Sequence, residues 1–297
     1  MSNRARIREE SVKLNPIDDA MFVLMAIDVG FCREILRVIM NDPQLEILGE
    51  PTPQYHLPNP MGRKATLDAV CRLKDDRVVG VEVQKDREAD PQRRVRYEGS
   101  LLATHLTDPN TKFKDLQDIV FVYISGFDPF GLNRSVYYID RVIRGLGEVI
   151  NNGFEEIYVN VAIRDGTDIS ELMRVFTEDA AYSEKFPRTS EIKRQLKLTK
   201  EGRQRMTAEL EKIMIEERNE GIAEGRAEGR AEGRAEGRAE GRAEGRAEGR
   251  ISELIALVSE GILTVSQAAS RLGESEEAFS ERLDMSMADG NLSRMRT

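Results

Sequence analysis

Tryptophan is absent from all 297 residues, and there are only two cysteines and two histidines. Cys32 and Cys71 are too few for a disulfide framework and have no metal-site spacing, which predicts buried free thiols in a reducing compartment. His56 and His105 have no second ligand at metal spacing, so a histidine-built metal centre is not expected. No apolar run approaches 18 residues, which predicts no membrane-spanning helix. The charged opening segment is not followed by the apolar stretch of a signal peptide. Together these features predict a soluble, cytoplasmic protein.

What is present is ample material for a core, with 40% apolar residues, and a net charge of −9. That acidity would argue against a nucleic-acid partner if it were evenly spread. It is not. Residues 223–250 are seven tandem copies of Ala-Glu-Gly-Arg with no net charge, and residues 251–297 carry −4, leaving −5 on the first 222. Local charge therefore decides the question of partners.

Apolar spacing predicts helices from Asp18 to Met40, broken at Gly30, with Asp18 or Asp19 as a cap. Pro43 to Pro60 reads as loop, with Leu45 to Leu48 as a short strand. Ala65 to Leu73 and Val78 to Val83 alternate around the Asp75-Asp76 turn and read as a hairpin. A helix follows over Pro91 to Leu106, then strands over Ile119 to Ile124, Val136 to Val142 and Ile157 to Ile163. Beyond Asp168 the pattern is helical. This order predicts an α/β fold. The expected organisation is a main domain over 1–205, a helical connector with the repeats over 206–250, and a small helical module over 251–297.

The hairpin carries the chemistry. Glu82 and Gln84 point the same way in an extended strand, and the Asp75-Asp76 turn brings Asp68 towards Glu82. Both acids are flanked by apolar neighbours, Leu67 and Ala69-Val70 on one strand and Val81 and Val83 on the other. Burying carboxylates in such strands is costly unless they are paired or bound to metal. Two converging carboxylates suit Mg²⁺, which takes oxygen ligands and keeps open positions for water and phosphate. Gln84 or Lys85 would orient the attacking water.

Asn15 to Phe22, Leu67-Asp68-Ala69-Val70, Val81-Glu82-Val83-Gln84, and Arg93 to Tyr97 with its helix occur in the order of a known family. Over residues 14–200 the chain resembles the recombination-promoting nuclease family of PD-(D/E)XK transposase-like proteins. The resemblance implies a restriction-endonuclease-like core with a mixed central sheet flanked by helices, followed by a helical C-terminal tail. It implies Mg²⁺-dependent DNA cleavage in recombination or mobile-element biology. Asp68 and Glu82 match the metal-binding acids, Asp19 the helix acid near the site, and Gln84 the position where the wider superfamily has lysine.

DNA affinity needs local cations to meet phosphates. Lys85, Arg87, Arg93, Arg94 and Arg96, with Tyr97, lie on or just before the helix that would flank the site and are the expected DNA contacts. A second basic stretch runs from Lys185 to Arg205. Neither reads base edges.

The repeat has period four, so each copy advances about 40° around a helix. Its Glu and Arg rows offer no internal i,i+4 pair, and each glycine costs about 1 kcal/mol relative to alanine. It is either a flexible spacer or a helix stabilised by a second chain, with Glu rows set against Arg rows. Ile251 to Leu283 then reads as helices, with Thr264 capping Val265 to Leu272, Gly273 ending that helix and Ser275 opening the next. Acidity favours protein association over DNA contact there, hence a homo-oligomer through the C-terminal helices. The alternatives to a nuclease are a catalytically degenerate fold acting as an oligomeric interaction protein, and a regulator whose tail restrains the nuclease domain.

Overall fold

The structure, a computed structural model, describes residues 3–60, 62–87 and 90–294. Contacts divide the chain into two compact units, which meet between Glu216 and Glu217. The first holds α1 (Asn3–Ser11), α2 (Asp19–Ala26), α3 (Val29–Ile39), β1 (Thr52–Leu57), β2 (Ala65–Arg72), β3 (Val78–Gln84) and α4 (Pro91–His105). A 3₁₀ turn (Phe113–Asp115), β4 (Ile119–Ser125), β5 (Val136–Ile139), β6 (Phe154–Asn160), α5 (Asp168–Thr177) and α6 (Pro187–Leu198) follow. A 60-residue helix, α7 (Lys200–Ser259), begins in this unit and passes through the expected boundaries at 205 and 250.

The strands form one mixed six-stranded sheet in the order β1-β2-β3-β4-β6-β5. Its central strands β3, β4 and β6 are parallel, and both flanks are antiparallel. Burial explains the pattern: β4 is buried at every position, so Ile119 to Ile124 reads as an unbroken apolar run with helices on both faces. On one face Val79, Val81, Val83, Val120, Val122 and Ile124 meet Met21, Phe22, Phe31, Ile35, Leu172 and Phe176 of α2, α3 and α5. Phe22, Phe31 and Phe176 form an aromatic knot there, with ring centroids 5.7 to 6.3 Å apart. On the other face α4 lays Val95 and Leu102 over Leu67, Phe121 and Tyr123.

Several expectations need correction. The break between α2 and α3 is at Asp28, whose side chain accepts Phe31 N–H at 2.8 Å, and Gly30 lies inside α3. Asp18 is the residue before α2 but makes no side-chain cap, because its carboxylate is engaged elsewhere. The supposed loop before Pro60 contains β1, which tolerates Pro53 because it is an edge strand. Leu45 to Leu48 forms only a single bridge, Ile47 to Leu73. β5 stops at Ile139, with Val142 in an isolated bridge to Val149, and β6 begins at Phe154, three residues earlier than expected.

In the second unit the remainder of α7 is joined by α8 (Val265–Leu272) and α9 (Glu276–Arg294). Leu254, Ala268, Ala269 and Phe279 form its small core. Thr264 and Gln267 make a reciprocal capping box, and Gly273 closes α8 at φ +74°. The repeat is helical throughout. Its arginines satisfy themselves locally: from Arg230 to Arg246 each Nε donates to the carbonyl four residues back, at 3.0 Å.

Candidate functional site

The β2–β3 ladder runs from Arg72 opposite Val78 to Ala69 opposite Val81, which puts Asp68 next in line with Glu82. At that point the backbone pairing gives way. Asp68 Oδ2, rather than a carbonyl, accepts the N–H of Val83 at 2.7 Å. Leu67 and Val70, three residues apart, both line the cluster under α4, so strict alternation fails at Asp68. A local irregularity of this kind re-aims a strand side chain.

α4 brings the rest. Asp90 caps it by accepting Arg93 N–H at 3.1 Å, and Pro91 occupies the first turn. Val95, Glu98, Gly99 and Leu102 are buried against the sheet, at the i, i+3, i+4, i+7 spacing of one helix face. An acid thus stands on the helix's apolar face. Gly99 permits the close approach, since a Cβ there would lie 2.4 Å from the Phe154 ring. Arg94, one turn before Glu98, donates Nε to Glu98 Oε1 at 2.9 Å, Nη1 to Gln84 Oε1 at 2.7 Å, and Nη2 to Glu82 Oε1.

Four carboxyl groups therefore share one neighbourhood: Asp68, Glu82 and Glu98, with Asp19 from the first turn of α2. Burial, followed by the negative charge of Asp19, pushes Asp68 well above the usual carboxylate range, against the pull of the Val83 N–H and Arg94. Asp68 as a whole residue is half-buried. Glu82, only 3% exposed, is raised by burial, then by Asp68 and Glu98. Its Oε2 is buried with no hydrogen bond among the described residues. Mutual repulsion and desolvation act together, so the cluster calls for added positive charge.

The structure brings Asp19, Asp68, Glu82 and Gln84 together, and adds Glu98 and Arg94 as its inner partners. Glu98 was missed in the sequence, although an acid in the Val95, Glu98, Leu102 stripe was its signal. The other expected DNA contacts scatter. Lys85 Nζ reaches Asp18 Oδ1 at 2.7 Å, and Asp18 Oδ2 accepts Asn15 N–H at 2.8 Å, which ties the end of β3 to the start of α2. Arg93 pairs with Asp90 at 3.0 Å. Arg87, three residues beyond the end of β3, is exposed. Arg96 lines a separate cavity of about 600 Å³ with Lys114, Arg141 and Phe154. Tyr97 donates to the Arg63 carbonyl and accepts from Asn59 Nδ2 at 3.0 Å, anchoring the β1–β2 loop.

Several cations of the second basic stretch are engaged within the protein. Lys185 pairs with Asp168 and Arg188 with Asp28. Lys197 reaches Asp179 at 2.5 Å. Lys193 is fully buried and donates to the carbonyls of Val175, Glu178 and Ala181 at the end of α5. The histidines are structural too: His56 bonds Thr66 Oγ1 at 3.0 Å, and His105 packs edge-on to Tyr55. Cys32 and Cys71 are buried free thiols that adjoin one another.

Asp68 and Glu82 offer the hard oxygen donors that Mg²⁺ prefers, and the buried, unbonded Glu82 Oε2 suits such a cation. Among the described residues, no three acidic, histidine or cysteine side chains stand in metal-holding geometry; Glu82 is turned onto Arg94 instead. No described helix is long and apolar enough to cross a membrane. No family model, curated protein or solved structure matches the chain.

Proposed function

We propose that this protein is a Mg²⁺-dependent DNA endonuclease with a PD-(D/E)XK core, acting in the cytoplasm in recombination or as a transposase-like mobile-element protein. The observation that carries the reading is the convergence of Asp68, Glu82 and Glu98 beside Asp19, in a setting that raises both Asp68 and Glu82. Perturbed carboxyl groups gathered at a strand irregularity are the mark of a site built for charge rather than for stability. The resemblance to the recombination-promoting nucleases supports the same assignment.

Asp68 and Glu82 would hold Mg²⁺, which when bound neutralises phosphate charge and acidifies a water. The chain's own residues do the rest. Asp68 is fixed by the Val83 N–H, so its second oxygen has a set direction. Gln84 faces the cluster from the same side of β3 as Glu82, where its amide can orient a water for in-line attack on phosphorus. Lys85, Arg87 and Arg93 would meet the flanking DNA phosphates as positioning contacts without base specificity. Arg96 and Tyr97 would extend that contact along α4. Copies of the chain would associate through the C-terminal helices, with the Glu rows of one repeat set against the Arg rows of another.

A second reading, a catalytically degenerate nuclease fold serving as an oligomeric interaction protein, is favoured by one observation: Arg94 already engages Glu82, Gln84 and Glu98. Incubation of the full chain with supercoiled plasmid separates the two. The nuclease reading expects nicked or linear DNA with Mg²⁺ and none with a chelator. Intact plasmid under both conditions supports the interaction protein.

A further inference from the structure

Among the described residues, Arg94 is the cation held inside the acidic cluster. Its guanidinium cannot lose its proton and offers only donors, arranged as a rigid fork. Three arms of that fork go to Glu98 Oε1, Gln84 Oε1 and Glu82 Oε1. The two carboxylates it holds are almost sealed, with side chains 4% and 8% exposed, whereas the arginine side chain is 26% exposed. Among these three side chains, Arg94 is therefore the one with a direct route to solvent.

With Arg94 on Glu82 Oε1 and a divalent cation on the unbonded Oε2, one buried carboxylate would carry two positive groups. These repel strongly where water is scarce. We infer that Arg94 is a built-in counter-ion, which holds the acids together without metal and withdraws from Glu82 when a divalent cation binds. Metal uptake and Arg94 release are then a single exchange, and the apparent metal affinity is lowered by the work of displacing the arginine. The freed guanidinium, still carried by α4, becomes available to a phosphate oxygen, for which its planar fork is well suited. This rests on the metal-dependent reading of the cluster.

The test is calorimetric titration of the full chain with Ca²⁺ and Mn²⁺, together with thermal unfolding with and without each ion. Three proteins are compared: wild type, Arg94→Met, which removes the charge at similar length, and Arg94→Lys, which keeps the charge without the fork. The inference expects Arg94→Met to bind either ion about tenfold or more tightly than wild type, a coupling of ordinary size between competing ligands. It also expects Arg94→Met to melt lower than wild type without metal and to regain most of that loss with it. Arg94→Lys should fall between the two in affinity. Equal or weaker ion binding by Arg94→Met overturns the exchange while leaving the metal site intact. Should Arg94→Met not fold, Arg94→Lys decides by the same criterion. If neither ion binds any of the three proteins, the metal reading itself fails and the inference falls with it.

Discussion

Asp68 Oδ2 accepts the main-chain N–H of Val83 at 2.7 Å, so a side chain completes the ladder where the β2 and β3 backbones part. This bond holds an acid beside Glu82 that burial and charge would otherwise expel. The site is thus maintained against electrostatic preference by strand geometry.

Asp68→Asn tests that tension. The amide oxygen can still accept the Val83 N–H, while the negative charge disappears. Metal-free Asp68→Asn protein is expected to melt about 2–4 °C above wild type, the shift from roughly 1 kcal/mol in a domain of this size. Calorimetric melting in chelator checks it, and a lower Tm would show that the carboxylate is stabilising as it stands.

Gln84 and Lys85 make opposite commitments, and mutation should separate them. Gln84 Oε1 faces Arg94 inside the cluster, whereas Lys85 Nζ is tied outward to Asp18. Gln84→Ala is expected to slow cleavage about 100-fold, the lower range for a group that acts on the attacking water. Lys85→Ala should stay within about tenfold and cost under about 1 kcal/mol, since the Lys85 side chain is 54% exposed. Cleavage rates for the two variants at saturating Mg²⁺ decide this; the reverse order would make Lys85 the water-orienting group.

Gly126 holds the end of β4 against the end of β3. Its N–H donates to Gln84 O at 2.8 Å, and a Cβ there would lie only 2.1 Å from the Lys85 carbonyl oxygen. Gly126→Ala must push the two strand ends apart where Gln84 is set. The expected outcome is a loss of about 1–3 kcal/mol, the usual cost of forcing extra atoms into packed structure, with slower cleavage. Denaturant unfolding measures the first and the plasmid assay the second.

Lys193 gives a pH signature independent of the candidate site. Burial lowers its ammonium to about 8 from the ordinary 10.5, with the nearby charge of Lys197 adding to the effect. Between those values the unfolded chain carries a proton that the folded protein does not, so this residue makes stability rise with pH from about 8 to 10.5. Lys193→Met removes the dependence. It also strands three carbonyls, which should cost about 2–4 kcal/mol at neutral pH. Denaturant unfolding of both proteins across pH 7–11 checks the sign: wild type should gain on the variant as pH rises.

Much of the sheet and the acidic pair could be read directly, because apolar flanks on both sides mark Asp68 and Glu82 and the Asp75-Asp76 turn brings their strands together. β1 was hidden by Pro51 and Pro53 and by Gln54, whose φ of 48° interrupts a regular strand. Glu98 was hidden for a different reason: on its own a helix acid reads as solvated, and only its place between Val95 and Leu102 reveals a buried one. Arg94 looked like a phosphate contact because two of its partners, Glu82 and Gln84, come from β3. Lys193 looked like surface because its partners are backbone carbonyls, which leave no trace in residue type. Long-range partners were what the sequence concealed.

Cleavage of supercoiled plasmid by wild type, Asp68→Asn and Glu82→Gln, side by side in Mg²⁺ and each shown folded by its melting transition, tests the central claim most directly. Wild type should nick or linearise the DNA, and both variants should lose at least about 100-fold in rate, as expected when charge placed for the transition state is removed. Undiminished cutting by either folded variant would contradict the assignment of Asp68 and Glu82 as the metal-holding pair.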